Sequence, residues 1–285
     1  MNKVQLEHIL GEPVVSIQIL SGGDIAHAQR VNTNKKSYFV KSGSFLNAKE
    51  LFEKEAAGLK ALKRSKTLSI PEIIGTYSLD GTSCLFLEFI EAKPPQSKDM
   101  EHFGRQLARL HLSAKTDFFG FETDNFIGKL PQSNQKHSSW ATFYVQERLQ
   151  PQFKFARDRK LLDASQTPSP EKLIEPCEEL FGEVVPSLLH GDLWGGNYLI
   201  DKIGEPYLID PAVYYGHHEV DLAMSKLFGG FSNAFYGAYH EIIPPHENQV
   251  ALTDVYQLYY LLVHLNLFGT SYLGSVARIL RKYFL

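Results

Sequence analysis

One stretch of this chain decides its fold, and it reads Leu189-His190-Gly191-Asp192-Leu193-Trp194-Gly195-Gly196-Asn197-Tyr198-Leu199-Ile200-Asp201. An apolar strand runs into a loop that carries an acid, then an amide five positions later, and then a second apolar strand. After a turn, Tyr207-Leu208-Ile209 leads to Asp210, so the predicted hairpin returns a second acid towards the loop. Asp192, Asn197 and Asp210 therefore predict an oxygen-rich site of the kind that Mg²⁺ prefers.

Protein kinases organise the same parts in this way, with a catalytic-loop Asp, an Asn five residues on and a later Asp. By that analogy Asp192 is the base that accepts the proton of the substrate hydroxyl. Asn197 and Asp210 are then the ligands of the magnesium ions that bridge the phosphates of ATP. The alternative is that Asp192 and Asn197 are ordinary turn residues. The HGDxxxxN spacing, joined to a hairpin that ends in Ile209-Asp210, favours the catalytic interpretation.

A second signal lies in the first third of the chain, where Asn47 to Lys63 has helical periodicity. Glu55 falls inside the apolar stripe of that helix, and a carboxylate there costs several kcal/mol unless it is paired. Lys41, just after the strand Tyr38-Phe39-Val40, is the predicted partner. In kinases such a Lys–Glu pair holds the Lys on the ATP phosphates. The alternative is a Glu55 at the edge of the stripe that reaches water.

Two further segments are assigned to ATP by their position in the chain. Ser21-Gly22-Gly23-Asp24 follows the first strand, and its backbone N–H groups would be available to phosphate oxygens, with Gly22 and Gly23 as the binding residues. A plain hairpin turn would have the same sequence, so this role depends on Lys41. The other segment is the end of the strand before the linker, where kinases bind adenine by backbone groups, namely Glu88, Phe89 and Ile90.

The organisation of the chain predicts an α+β protein with two lobes. The first ninety residues are rich in strand composition, with predicted strands at Val14–Leu20, Ser37–Val40, Pro71–Tyr77 and Ser83–Ile90. Ala92 to Ser97, with two prolines, is the predicted linker. Downstream the pattern is helical at 100–114, at 140–149 and over much of 222–285. We expect a nucleotide-binding lobe at residues 1–91 and a catalytic and substrate lobe at 92–285.

Several histidines and acids near the motif are predicted to be structural. His190 is expected to hold the backbone of the loop, and His111 to be a core histidine on the stripe of its helix. Asp221 is expected to cap the next helix at its N-terminus or to brace the catalytic loop. The run His217-His218-Glu219 lacks the ligand spacing of a metal site, because adjacent side chains point in different directions.

The bulk properties exclude several classes of protein. The net charge of −3 gives no electrostatic footprint for nucleic acid. The most apolar late stretch, at 255–267, is too short to cross a bilayer and is interrupted by polar residues. The two cysteines, Cys84 and Cys177, form no CxxC pair, and the N-terminus has no signal-peptide pattern. We therefore expect a cytoplasmic protein with no membrane or nucleic-acid partner; the oligomeric state stays open.

Taken together, the motifs resemble the fructosamine (ketosamine) kinases, which belong to the protein-kinase-like superfamily of aminoglycoside phosphotransferases. The resemblance runs from about Gly22 to Tyr272. HGDLWGGN alone is shared with aminoglycoside and choline kinases, whereas the run that starts at Asp210 and the DNFIG segment are much more specific. The segments that carry it are FVK ending at Lys41, EAAGL from Glu55, FGRQLARLH at 103–111, FGFETDNFIG at 119–128, HGDLWGGN at 190–197, DPAVYYGHHEVDLAMSKLFGGF from Asp210 and YQLYYLLVHLNLFG from Tyr256.

The resemblance implies phosphoryl transfer from ATP to the 3-hydroxyl of a ketosamine, the adduct of a sugar with an amine. The phosphorylated adduct then decomposes and frees the amine, so that glycated amines or proteins are the substrate class. Trp194, beside Asp192, is a candidate wall for the sugar. Some relatives carry a cysteine in the glycine-rich loop, where this chain has Asp24, so no redox switch is expected there. A kinase for an aminoglycoside or a choline-like alcohol, and a non-catalytic pseudokinase, are the alternatives.

Overall fold

The first ninety residues build one antiparallel sheet in the computed structural model, which describes residues 1–20 and 26–285. The predicted phosphate loop, Ser21 to Asp24, lies outside the described residues. The strand order is β1-β2-β3-β5-β4. The strands are β1 (Val14–Leu20), β2 (His27–Thr33), β3 (Ser37–Gly43), β4 (Ile73–Leu79) and β5 (Thr82–Glu88).

Two elements of this region were not predicted from the sequence. Strand β2 reads HAQRVNT and buries Ala28 and Val31, so it lacks the clear alternation that marks a half-buried strand. Helix α1 (Lys3–Leu10) is short and buries Leu6 against the sheet; its capping box at Asn2 and Gln5 satisfies the N-terminal amides. Strand β5 was predicted to run to Ile90 and instead ends at Glu88.

Helix α2 (Ala48–Ser65) packs its apolar stripe against β4 and β5; the helix predicted at 47–63 begins one residue later, since Asn47 is the N-cap, and extends to Ser65. The linker prediction needs a correction. Ser97 was assigned to the linker, but it is the first residue of helix α3 (Ser97–His111), because the side chain of Gln96 and the carboxylate of Asp99 form a capping box. The linker also pairs with the second half of the chain, since Lys93 N donates to Ile200 O at 2.8 Å.

The remainder of the described chain is mostly helical. Its long helix α9 (Gln249–Phe268) is mostly buried from Leu252 to Asn266, so the predicted helical core at 256–268 is confirmed except at its end, where Phe268 is exposed. The segment predicted as one helix at 140–149 is helix α4 followed by a π-helix at Tyr144–Leu149. The α-helices are α4 (Trp140–Phe143), α5 (Gln150–Asp158), α6 (Pro170–Phe181), α7 (Glu219–Leu227), α8 (Asn233–His240), α9 (Gln249–Phe268) and α10 (Leu273–Tyr283).

Three short pairs of antiparallel strands lie between these helices in the described part of the chain. Strands β6 (Asn125–Ile127) and β7 (Leu130–Gln132) form one, and β9 (Tyr198–Ile200) pairs with β10 (Pro206–Leu208). Strand β8 (Ser187–Leu189) pairs with β11 (Tyr214–Gly216). The loop at 190–197 leaves β8 and enters β9, so both pairs fix its ends. None of the helices within residues 1–20 and 26–285 combines the length and apolarity needed to span a bilayer.

Candidate active site

The loop at 190–197 is held by backbone geometry that glycine alone tolerates well. Gly191 has a φ of 82°, in the left-handed region, and a Cβ atom there would lie 2.1 Å from the carbonyl oxygen of Ala212. The same approach lets Ala212 N donate to His190 O at 2.9 Å. The close packing of these two segments brings Asp210, two residues earlier than Ala212, beside the loop.

Asp221 braces this loop from beneath. Its carboxylate accepts hydrogen bonds from the backbone N–H groups of His190, at 2.8 Å, and of Gly191, at 2.9 Å. The predicted N-cap role is wrong, because Asp221 is the third residue of α7 and His218 is the N-cap. These hydrogen bonds are the ones that the alternative role, bracing the loop, requires, and that role stays a prediction. A fully buried carboxylate costs much free energy unless it is hydrogen-bonded, and these N–H donors supply those bonds.

His190 holds the loop backbone, as predicted. Its Nε2 lies 2.8 Å from the carbonyl oxygen of Ile209, and its Nδ1 accepts from the N–H of Asp192 at 3.2 Å. Burial lowers the pKa of His190. A neutral ring with the proton on Nε2 satisfies both contacts, since Nε2 then donates and Nδ1 accepts. The ring therefore ties the strand before Asp210 to the turn that presents Asp192.

Asp192 and Asn197 are in direct contact. The side-chain Nδ2 of Asn197 donates to the backbone oxygen of Asp192 at 2.8 Å and to its Oδ2 at 3.1 Å. Burial, reinforced by the negative charge of Asp210, raises the pKa of Asp192 to about 7. A carboxylate with a raised pKa is a better proton acceptor than an ordinary surface Asp. The local chemistry thus suits a base.

Lys41 links the sheet to this loop. Its Nζ lies 2.8 Å from Glu55 Oε1, which confirms the predicted pairing of strand β3 with helix α2, and it also forms an ion pair with Asp210. Burial alone would lower the pKa of Lys41, but the carboxylates of Asp210 and Glu55 outweigh it and raise that pKa. Burial raises the pKa of Glu55 to about 7, which the Lys41 ammonium only partly opposes. Lys41 is therefore a permanently charged group at this site.

The donor set fits a magnesium ion. Asn197 uses its amide nitrogen on Asp192, so its amide oxygen is the atom suited to a cation. Together with Asp210 it offers one carboxylate and one amide oxygen. Within the part of the chain that the structure describes, no group of three or more His, Cys, Asp and Glu side chains could hold a metal. Mg²⁺ needs less, because it takes one or two carboxylates and fills its other positions with water and phosphate oxygens.

The segment predicted to bind adenine has part of its backbone already in use. Glu88 N donates to Glu72 O at 2.8 Å, and Phe89 N donates to Ser37 O at 3.4 Å. Arg30 lies over the Phe89 ring at 4.2 Å from its centroid. Among the hydrogen bonds of residues 1–20 and 26–285, none uses Ile90 N. The adenine assignment therefore depends most on Ile90.

Trp194 extends from the loop with 39% of its surface exposed. Its indole lies against the backbone of Gly196, where an added Cβ would lie 2.4 Å from Trp194 Cη2. The ring of Phe228 is its neighbour on the other side, at a centroid distance of 6.5 Å. Its role as a wall for the sugar stays a prediction.

Sequence reasoning placed His111 in the core and missed its role in the site. Its Nδ1 lies 2.7 Å from the Tyr239 hydroxyl, and its Nε2 lies 3.2 Å from Asp221 Oδ2. A second missed contact is the Tyr260 hydroxyl, which donates to Gly191 O at 2.7 Å. Both partners come from distant helices at ordinary apolar spacing, so no local pattern marks them.

Two cavities lie away from this site. One, of about 410 Å³, is lined by Phe119, Trp140 and Phe181 and by the acids Glu178 and Glu183. The other, of about 360 Å³, lies between Lys63, Lys66, Glu88 and Glu205. Neither contains Asp192, Asn197 or Asp210. The chemistry of the loop, rather than the size of a cavity, identifies the candidate active site.

The fold and the site define a phosphotransferase of the protein-kinase-like type. The choline kinase LicA from Streptococcus pneumoniae has the same fold, with a TM-score of 0.64 at 19% identity over 98% of this chain and 96% of that one. This likeness, together with the antiparallel N-terminal sheet and the helical remainder, confirms the predicted α+β kinase-like fold.

The particular family follows from closer relatives. The fructosamine kinase family model matches residues 2–285, and the chain belongs to that family. The chloroplastic protein-ribulosamine 3-kinase of Arabidopsis thaliana is 39% identical over 274 residues, which cover 95% of this chain and 83% of that protein. The crystal structure of a Thermobifida fusca protein assigned as a fructosamine-3-kinase has a TM-score of 0.86 at 33% identity and covers 98% of this chain and 96% of that one. The predicted resemblance is confirmed.

Proposed function

We propose that this protein transfers the γ-phosphoryl group of ATP to the 3-hydroxyl of a ketosamine and so supports the removal of sugars from amines or proteins. One observation carries the proposal: Asp192, Asn197 and Asp210 meet at the end of the β9–β10 hairpin, where Lys41 reaches Asp210 and is paired with Glu55. Membership in the fructosamine kinase family and a relative that acts on protein ribulosamines support the sugar-amine substrate class.

The chemistry requires positioning and charge stabilisation more than covalent help from the protein. The hydroxyl oxygen attacks the γ-phosphorus, the bond from that phosphorus to the leaving ADP oxygen breaks, and the hydroxyl proton passes to the Asp192 carboxylate. The raised pKa of Asp192 favours that transfer. Asn197 keeps the carboxylate in place through its amide nitrogen.

Lys41 supplies a fixed positive charge for the phosphates, and Glu55 orients it from helix α2. Asn197 and Asp210 would hold Mg²⁺, which neutralises phosphate charge when bound. The glycine-rich segment with Gly22 and Gly23 and the segment from Glu88 to Ile90 complete the proposed ATP site. Residues 1–91 would then be the nucleotide-binding lobe and residues 92–285 the catalytic lobe.

The remaining assignments follow from the same interpretation. Trp194 is proposed as a wall of the sugar site, with His190 and Asp221 as support of the loop. A cytoplasmic location is proposed, because Cys84 and Cys177 are both free and buried, which suits a reducing compartment. The sugar and the amine that the enzyme prefers stay open.

The test is ADP release with MgATP and a panel of ribulose-lysine, fructose-lysine, an aminoglycoside and choline. We expect turnover on the ketosamines, and phosphorus and carbon NMR of the product should place the phosphate on the 3-hydroxyl. Asp192→Asn should lower kcat by about 100- to 10,000-fold while sparing ATP binding. Asp117→Asn, an exposed acid on a loop, is the matched control. Retained turnover by Asp192→Asn, or turnover on an aminoglycoside or choline alone, would contradict the proposal.

A further inference from the structure

A line of aromatic rings leads away from the candidate active site across the surface. We define it as the acceptor surface, and its residues are Trp194, Phe228, His264, Phe268 and Tyr272. Neighbouring centroids are 6.5 Å apart from Trp194 to Phe228 and 4.7 Å apart from Phe228 to His264. The next step, from His264 to Phe268, is 5.4 Å. The rings thus form one continuous patch that begins two residues after Asp192.

Three of these rings are unusually accessible for large apolar side chains. Trp194 is 39% exposed, Phe228 is 41% exposed and Phe268 is 50% exposed. Exposed aromatic residues that lie next to one another, unlike single ones, mark binding sites. Trp194 and Phe228 contact each other edge to face, and Phe268 reaches Phe228 through the ring of His264.

Phe228 belongs to a short segment that carries a second phenylalanine. Phe228 is the C-cap of helix α7, and Phe231, three residues later, packs against Phe103, Tyr198 and Phe235 at centroid distances of 5.8, 5.0 and 4.8 Å. The same segment therefore packs Phe231 against the core and leaves Phe228 at the surface beside Trp194.

Gly196 fixes the other end of the acceptor surface. A Cβ atom on Gly196 would meet Trp194 Cη2 at 2.4 Å and Cζ2 at 2.5 Å, so the indole lies directly on the glycine backbone. A Cβ atom on Gly195 would have nothing within 4 Å. Neither glycine has a positive φ, so the need for glycine at 196 is the space that the indole occupies.

We propose that the acceptor surface binds the amine-bearing arm of a ketosamine acceptor, with the protonated amine at Trp194 and the aliphatic arm of a lysine along Phe228 and Phe268. This inference rests on the proposed function. The amine of a ketosamine is four bonds of about 1.5 Å from the reacting 3-oxygen, so it lies close to Asp192 when the oxygen does. Trp194 is the large aromatic side chain of that loop, and a cation is attracted to an indole face.

The arm of a lysine then continues for four methylene groups, each of which gains from contact with an apolar surface. The ring of Phe228 is 6.5 Å from that of Trp194, which matches the reach of such an arm. A short amine would end at Trp194 and leave Phe228 uncovered. The acceptor surface would therefore discriminate between glycated lysine and glycated short amines.

The test compares two acceptors that share the sugar and the amine and differ in the arm: the ketosamine of methylamine and the ketosamine on the side-chain amine of lysine. Phe228→Ala should raise KM for the lysine adduct about 5-fold. The rise in KM should be several-fold larger for the lysine adduct than for the methylamine adduct, whose amine has no arm that reaches Phe228. Ile203→Ala, which truncates an apolar side chain that is 90% exposed in the β9–β10 turn, is the matched control and should leave kcat, KM for ATP and KM for both adducts unchanged.

Gly196→Ala should displace the indole and raise KM for both adducts. The rise should be several-fold larger than the rise that Gly195→Ala causes in the same loop. An equal rise in KM for both adducts in Phe228→Ala, or no rise, overturns the inference. Light scattering tests whether a second copy of the chain covers the acceptor surface. A wild-type dimer that dissociates in Phe228→Ala would show such an interface and would also overturn the inference. Failure of the wild type to use either adduct rejects the proposed function instead.

Discussion

His111 and Asp221 lie side by side in the interior, both without accessible side-chain surface, and His111 Nε2 is 3.2 Å from Asp221 Oδ2. Helix α3 thereby contacts the acid that holds the catalytic loop. The other ring nitrogen of His111 reaches Tyr239 in helix α8, whose hydroxyl also lies 3.1 Å from His218 Nδ1. His111 of α3 thus links Asp221 of α7 to Tyr239 of α8.

Asp221→Asn should lower kcat, because an amide in place of the carboxylate can turn an N–H group towards the N–H groups of His190 and Gly191. A buried hydrogen bond lost in this way costs about 1 to 3 kcal/mol of stability. A displacement of the loop by about 1 Å would cost about 100-fold in kcat. Steady-state kinetics and urea unfolding measure the two effects. His111→Asn should have a smaller effect of the same kind, and a wild-type kcat in Asp221→Asn would contradict the bracing role.

Lys41→Met should lower kcat/KM for MgATP by about 1,000-fold, since it removes the fixed charge for the phosphates. Glu55→Gln should lower it by about 10-fold, because Glu55 acts by orienting Lys41 at 2.8 Å. The double variant should be no worse than Lys41→Met alone, because residues in contact have non-additive effects. Lys60→Met, on the exposed face of α2, is the control. Additive losses in the double variant would show that Glu55 acts independently of Lys41.

Gly191→Ala should destabilise the protein by more than the usual cost of a left-handed residue. Gly11→Ala isolates that usual cost, about 1 to 2 kcal/mol, because Gly11 has a φ of 65° and nothing within 4 Å of an added Cβ. At Gly191 the Cβ would also collide with Ala212 O at 2.1 Å. Thermal melts compare the two variants. Equal losses would mean that the loop shifts freely around the added methyl group.

Stability should fall as the pH drops below about 6.5, because buried histidines stay neutral in the folded state. Burial lowers the pKa of His218 to about 3 and lowers those of His190 and His217 as well. Below the pKa that a histidine has in the unfolded chain, the unfolded chain binds a proton on that histidine and the folded chain does not. Each such histidine therefore contributes stability above pH 6.5 that is lost towards its folded pKa, at about 1.4 kcal/mol per pH unit.

Urea unfolding of the wild type and of His218→Asn at pH 7.5, 6 and 5 measures this dependence. The variant should lose part of the slope of the unfolding free energy against pH, because asparagine does not titrate. Raised carboxylate pKa values, such as those of Asp192 and Glu219, act in the opposite direction but are common to both proteins. His8→Asn, at an exposed position of α1, is the control. An unchanged slope in His218→Asn would contradict the prediction.

By itself the sequence determined the parts whose signals are local. The HGDxxxxN spacing and the hairpin that ends in Asp210 predicted that Asp192, Asn197 and Asp210 converge. The reason is that a two-strand hairpin brings its two ends close together. The position of Glu55 predicted a basic partner, because a carboxylate within an apolar stripe is costly unless it is paired. Strand β2 was missed, since its two buried residues are spaced three apart instead of two.

Tertiary structure alone decided the rest. Asp221 was open between a helix cap and a brace, and only the packing of α7 brought its carboxylate to the N–H groups of His190 and Gly191. His111 carried the same apolar spacing as any core residue, so its contact with Asp221 depended on where the fold places the last residue of α3. The His111–Asp221 contact joins residues 110 positions apart and the Asp221–His190 contact residues 31 apart. Nothing in the local sequence encodes which distant side chain will lie at such a contact.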